Sequence, residues 1–221
     1  MPDVVQMPGS FQAFVGGLHT TPAMIRHDGS QHGVSLELTP LGARALFGVP
    51  AAELAHAVLD LEDILGTNAI ELVDRVASAP GWRERFAALD DVLTQQLREG
   101  GDVPREVIWA WEQLVSTGGT IEVGTLADEV GYSRRHFGEL FRRELGLAPK
   151  AAARVLRFER SRRLIGRTDG PGLAAAAALS GYYDQAHLTK EWRDIAGCTP
   201  TTWIAEELPS VQDNPVPIGA D

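Results

Sequence analysis

Six side chains in the first third of the chain, His19, His27, Asp28, His32, Glu53 and His56, are of the types that ligate metals or carry protons. No two of the histidines stand at the i, i+4 spacing that sets a zinc hydrolase's ligands on one helix face. Cys198 is the only cysteine, which excludes an internal disulfide and any multi-cysteine zinc site. Phosphate-loop, dinucleotide-loop and nucleophile-elbow strings are absent, so a metal-dependent enzyme built on the N-terminal histidines and carboxylates is the minor alternative and no cofactor is expected. A different chemistry is spaced along residues 133 to 193. Ser133, Arg134, Arg135, His136, Glu139 and Arg142 form one polar set, and Gln185, His187, Thr189, Lys190 and Arg193 form another. Such groups donate and accept hydrogen bonds and carry positive charge, the means by which a surface recognises a polar, anionic partner.

Charge sharpens the contrast. The chain of 221 residues has a net charge of −10, but residues 1 to 119 hold 7 Arg against 16 Asp or Glu, a balance of −9. Residues 133 to 167 hold 11 bases against 3 acids, a balance of +8, and residues 205 to 221 carry four acids and no base. A strongly basic segment between acidic ends is either a solvated helix face or the footprint of a polyanion.

The elements that position these side chains repeat. Phe141 to Pro149 aligns with Trp192 to Pro200 at an offset of 51, matching aromatic, Arg, Gly and Pro. Upstream of each copy lies an alanine-bearing helix ending in a turn glycine, Leu126 to Tyr132 in one and Ala176 to Tyr182 in the other. Small Ala127 and Ala177 let two helices approach closely, while Gly131 and Gly181 supply a left-handed turn. Ser133 and Asp184 are the expected N-caps of the second helices, with a turn one residue longer in the second copy. Phe137, Leu140 and Phe141 in the first helix, and Leu188 and Trp192 in the second, are expected to face inward. The polar sets then face out, and a helix with that face fits a major groove. Pro149 starts a linker helix running to about Ile165, rich in arginine. Two rigidly joined motifs of this kind reach major-groove segments about 34 Å apart on one face of a duplex.

Elsewhere the pattern reads as a mainly α chain with a small α+β N-terminal part. Short β-prone runs at Phe11 to Val15, Ala23 to Arg26 and Gly33 to Thr39 suggest two or three strands. Helices follow, broken at Gly48 to Pro50, Gly66 to Asn68, Pro80-Gly81 and Glu99 to Gly101. Phe86, Leu89 and Leu93 form one expected packing stripe, and Ile108, Trp111 and Leu114 another. The small-residue break at Ser116 to Thr120 separates an expected domain at 1–117 from one at 118–206, and 207–221 reads as a disordered tail. The longest apolar stretch, Leu173 to Leu179, is far short of the roughly 20 residues of a bilayer span, so no membrane partner is expected. Met1 to Ser10 carries Asp3 and no base, unlike a signal peptide, which places the protein in the cytoplasm.

From about Ile121 to Ala205 the chain resembles the C-terminal double helix-turn-helix domain of the AraC/XylS family of transcription regulators. Ala177, Gly181, Tyr182, Asp184, Leu188, Trp192, Arg193, Gly197, Thr199 and Pro200 stand at the family's second-motif positions, and Arg157 to Ile165 is similar to its linker. The resemblance implies a sequence-specific regulator binding double-stranded DNA. Base-reading positions carry over to Arg135 and Glu139, with Arg134 near the backbone, and to Gln185, Thr189 and Lys190. Arg135 suits guanine O6 and N7, Gln185 adenine N6 and N7, and Glu139 cytosine N4. Ser133, His136, Arg142, His187 and Arg193 are expected to touch phosphate or support the helices, the two histidines also being candidates for plain packing. Gly138 replaces a longer polar side chain common in the family, and Trp203-Ile204 replace an aromatic and Arg, so fewer contacts are expected at both places. The N-terminal part, around Gly33 to Gly66, resembles a sensor half that takes a small-molecule effector. Its forty or so residues before the helices supply too few strands to close a cupin-like barrel, so a barrel here is expected to be cut down or to lack its start. An open strand edge would favour a homodimer. The rival reading is a helical protein-interaction module, which binding at rising salt would separate from a DNA reader.

Overall fold

The structure, a computed structural model, describes residues 9–24, 33–98 and 103–206. It is mainly helical, with a two-stranded sheet. β1 (Phe14–Gly16) pairs antiparallel with β2 (Val58–Asp60), setting Val15 opposite Leu59. The strand content departs from the sequence expectation. Only the end of the Phe11 to Val15 run is a strand, and Gly33 to Thr39 is extended without being one. In that segment Val34 packs onto the helices while Leu36 and Leu38 are exposed, so its alternation finds a helix face and no neighbouring strand. Ala23 and Met24 are not in a strand, and Ile25 and Arg26 lie outside the described residues.

α1 (Pro40–Phe47) begins with the Thr39 side chain accepting from Gly42 N–H and ends at Gly48 in the left-handed region. α2 (Ala51–Leu54) and α3 (Leu61–Leu65) are short. α4 (Thr67–Ser78) and α5 (Trp82–Gln96) pack on each other across the Pro80-Gly81 turn. Ala43, Leu46, Phe47, Leu54 and Leu65 form one core with Val15 and Leu59 of the sheet, and Leu72, Leu89 and Val92 form a second. The α5 stripe is shifted from expectation: Ala88, Leu89 and Val92 are buried, whereas Phe86 is 44% exposed beside Trp82.

α6 (Arg105–Ser116) buries Val107, Ala110 and Leu114, with Ile108 and Trp111 half-buried. Val107, Ala110, Leu114 and Trp111 share a core with α7 (Val123–Glu129), α8 (Arg134–Leu145) and the first half of α9 (Pro149–Ile165). A helix on the N-terminal side of the small-residue break thus packs with the first motif. The second core joins Phe158 and Ile165 of α9 to α10 (Leu173–Leu179), α11 (Gln185–Ala196) and Trp203 of α12 (Pro200–Glu206). α9 enters both cores, Ala152 and Ala153 in one and Phe158 and Ile165 in the other. Its 17 residues span roughly 25 Å.

Candidate nucleic-acid interface

The two helix pairs are built from the same local parts. Gly131 (φ 73°) and Gly181 (φ 77°) occupy the left-handed region, where a side chain is strained. Immediately after each glycine a backbone N–H returns to the buried alanine: Tyr132 to Ala127 O and Tyr182 to Ala177 O, both at 3.0 Å. Both alanines are fully buried, so the paired helices meet where no larger side chain fits. Ser133 Oγ accepts from His136 N–H and Asp184 Oδ1 from His187 N–H, the expected N-caps. Gly146 and Gly197 end α8 and α11 with left-handed caps. The turns hold four residues in the first pair and five in the second.

These parts fix which faces point outward. Phe137 and Phe141 are fully buried with Leu140 half-buried beside them, as are Leu188 and Trp192 in the second copy. Trp192 Nε1 donates to Ser161 Oγ at 2.9 Å, and that hydroxyl donates to Phe158 O, so a buried chain of hydrogen bonds ties α11 to α9. Arg154 Nε donates to the buried Glu191 at 2.7 Å across the same junction. Arg157 reaches Gly119 O at 2.9 Å and lies over the Tyr182 ring. Burial, with the Glu191 carboxylate nearby, pushes the Tyr182 hydroxyl up to about 12, so it stays neutral. The second motif is therefore held on the linker by several directional contacts as well as by packing.

Of the eleven residues singled out from the sequence, ten are exposed: Ser133, Arg134, Arg135, His136, Glu139, Arg142, Gln185, His187, Lys190 and Arg193. Thr189 is half-buried, its hydroxyl donating to Gln185 O. The first set lies on α8 and its cap, the second on α11. His136 and His187 each sit edge-on to the tyrosine of their own turn, Tyr132 and Tyr182, an equivalent pair in the two copies. On α8, Arg135 Nε donates to Glu139 Oε1 at 3.0 Å with both side chains in solvent, while Arg134, Arg142, Lys190 and Arg193 make no ion pair with any described residue. An outward face of this composition donates to acceptors and attracts anions.

Sequence reasoning did not single out Ser161, Arg154, Glu191 or the contact of the acidic part with α8. The i, i+4, i+7, i+11 spacing of Lys150, Arg154, Arg157 and Ser161 on one face of α9 was the available signal for the first two. No signal pointed to Arg44, whose guanidinium meets the buried Glu144 of α8 at 2.8 Å over a separation of 100 residues. Beside this pair α2 packs on α8, with Ala52 and Ala55 so close to Gly146 that a Cβ there would collide. Among the described residues no cluster of three or more metal-ligating side chains forms; His27, Asp28 and His32 lie outside them, as does the tail 207–221.

Comparison with known proteins adds to this geometry. Residues 126–206 match the family model described as a helix-turn-helix domain. This stretch is a helix-turn-helix domain. The match begins inside α7 and ends with α12, so it takes in most of the first helix pair, the linker and the whole of the second pair. Such domains bind DNA and occur in transcription regulators. No curated protein and no solved structure matches the chain. No helix among the described residues is long and apolar enough to cross a membrane.

Proposed function

We propose that the protein is a sequence-specific transcription regulator of the AraC/XylS family, reading two successive major-groove segments with α8 and α11. The observation that carries this reading is the pair of like-built helix-turn-helix units sharing one linker helix, each presenting an exposed polar and basic face. Arg135 and Glu139 of α8, and Gln185, Thr189 and Lys190 of α11, take the base edges, with Arg134 near the backbone. Ser133, His136, Arg142, His187 and Arg193 hold phosphates or steady the helices and so set register. The acidic N-terminal part repels DNA without a site, so binding concentrates where base contacts add to the phosphate attraction. That part is the regulatory half, responding to an effector or to pairing with a second copy along an edge of the two-stranded sheet. Its contact with α8 through Arg44 and α2 supplies a route by which either event reaches the first reader.

Equilibrium binding to duplexes selected from a random pool, and to scrambled duplexes, tests the assignment. Gln185→Ala is expected to relax preference at one base pair, costing about 1–3 kcal/mol on the selected duplex and little on the scrambled one. Arg142→Ala should weaken both alike and lower the salt slope by about 1. Equal losses on both duplexes for Gln185→Ala would remove it from the base-reading set.

A further inference from the structure

One face of α9 carries Lys150, Arg154, Arg157 and Ser161 toward the second motif. Ser161 is taken up by Trp192 and Arg157 by Gly119 O. Toward the start of α9 this face and α11 bound a cleft of about 470 Å³. Two carboxylates line it, Glu191 and Asp194, and Arg154 stands 2.7 Å from the first and 3.6 Å from the second. Arg154 and Arg157 together offset those two negative charges. Lys150 from the linker and Lys190 from the recognition helix also line the cleft, are exposed, and make no ion pair with any described residue. They are its uncompensated charge, about +2. The uncapped first turn of α9, which includes Lys150, adds the positive end of a 17-residue helix. His187 lines the same cleft, which makes it continuous with the outward face of α11.

We propose that this cleft grips the DNA backbone between the two base-reading segments, with Lys150 neutralising a phosphodiester there while Lys190, on the opposite wall, keeps its place among the base-reading side chains. The inference rests on the DNA-reading role argued above and adds to it a third, sequence-independent contact made by the linker. Two helices lodged in neighbouring major-groove segments leave between them the stretch where the minor groove and its bordering phosphates face the protein. Lys150 comes from the helix that spaces the readers and Lys190 from one reader, so the cleft faces that stretch from two sides. α9 is then a contact surface as well as a spacer, and part of the affinity follows the backbone's position and ignores the bases.

The test is fluorescence anisotropy of the full chain on a duplex selected from a random pool and on a scrambled duplex, from low to moderate salt. Lys150→Gln is expected to weaken both duplexes by the same factor, leave their affinity ratio unchanged, and lower the slope of log K against log salt by about 0.9. The double variant Lys150→Gln, Lys190→Gln should in addition change the affinity ratio of the two duplexes, because Lys190 stands in the base-reading set. Neutral methylphosphonate linkages placed one at a time between the half-sites should weaken the wild type at one or two positions and leave Lys150→Gln unaffected there. An unchanged slope for Lys150→Gln, or losses from variant and methylphosphonate that simply multiply at every position, would overturn the proposal while leaving the two-motif reading standing. A wild-type chain that binds no duplex at all would instead remove that reading and the cleft's role with it.

Discussion

Replacing Trp192 with alanine should cost about 3–5 kcal/mol of stability, concentrated in the second motif. The indole is fully buried between Phe158 and Trp203, with ring centroids at 4.9 and 5.5 Å, so its removal leaves a cavity walled by rigid rings. It also strips Ser161 Oγ of its donor from Nε1 in a site closed to water. Trp192→Phe separates the two effects, keeping most of the volume and losing the hydrogen bond, with an expected loss of about 1–2 kcal/mol. Urea unfolding followed by circular dichroism gives the magnitudes. Hydrogen exchange locates them: protection should fall in α10 to α12 and the second half of α9 while α7 and α8 keep theirs, because the two cores are separate and the linker is the helix they share. A loss below about 1 kcal/mol for the alanine variant would mean that Trp192 does not anchor the second reader.

The second large effect is expected at the other reader. Arg44→Met removes the main partner of Glu144, whose side chain is 9% exposed, leaving the carboxylate with Arg143 at 3.4 Å. An uncompensated buried charge of this kind costs about 3–5 kcal/mol when fully enclosed. Arg44 is partly in solvent and Arg143 stays, so the expected loss is about 2–3 kcal/mol. Removing the charge as well should restore stability, so the double variant Arg44→Met, Glu144→Gln is expected to lie closer to the wild type than Arg44→Met does. Exchange protection in the last turn of α8 reports the same event directly, since α2 packs there. If the double variant is no more stable than Arg44→Met, the pair is not what holds the acidic part against α8.

Much of the second half was legible before any coordinates, because each feature of a helix-turn-helix has a local steric cause. Gly131 and Gly181, the caps at Ser133 and Asp184, and the start of α9 at Pro149 all follow from short-range rules, and the structure has each where the sequence placed it. The exposed faces of α8 and α11 followed from the same helical spacing. The first half was harder to read because its order depends on remote partners. Val58 to Asp60 is a strand only because β1, more than forty residues earlier, lies beside it, and Gly33 to Thr39 is not one because Val34 packs on the α4 and α5 core and the segment pairs with neither strand. Phe86 matches a helix stripe but faces solvent, since α4 approaches α5 from the side of Ala88 and Val92. Glu144 resembles any surface acid in a basic helix until Arg44 arrives from 100 residues away. Ser161 sits among arginines, and only the position of Trp192 makes it a buried acceptor.

The central claim is that α9, seated in both cores, holds the two readers at one fixed spacing and angle. It is tested most directly by measuring affinity for a duplex carrying both half-sites and for the same duplex with 5 base pairs inserted between them. The insertion turns one half-site about half a helical turn away from its reader. A rigid pair predicts a fall of roughly 30-fold or more, the loss of one motif's base contacts at about 1–3 kcal/mol each. Affinity that survives the insertion unchanged would show that the motifs bind independently, or that only one of them reads DNA, and would contradict the account.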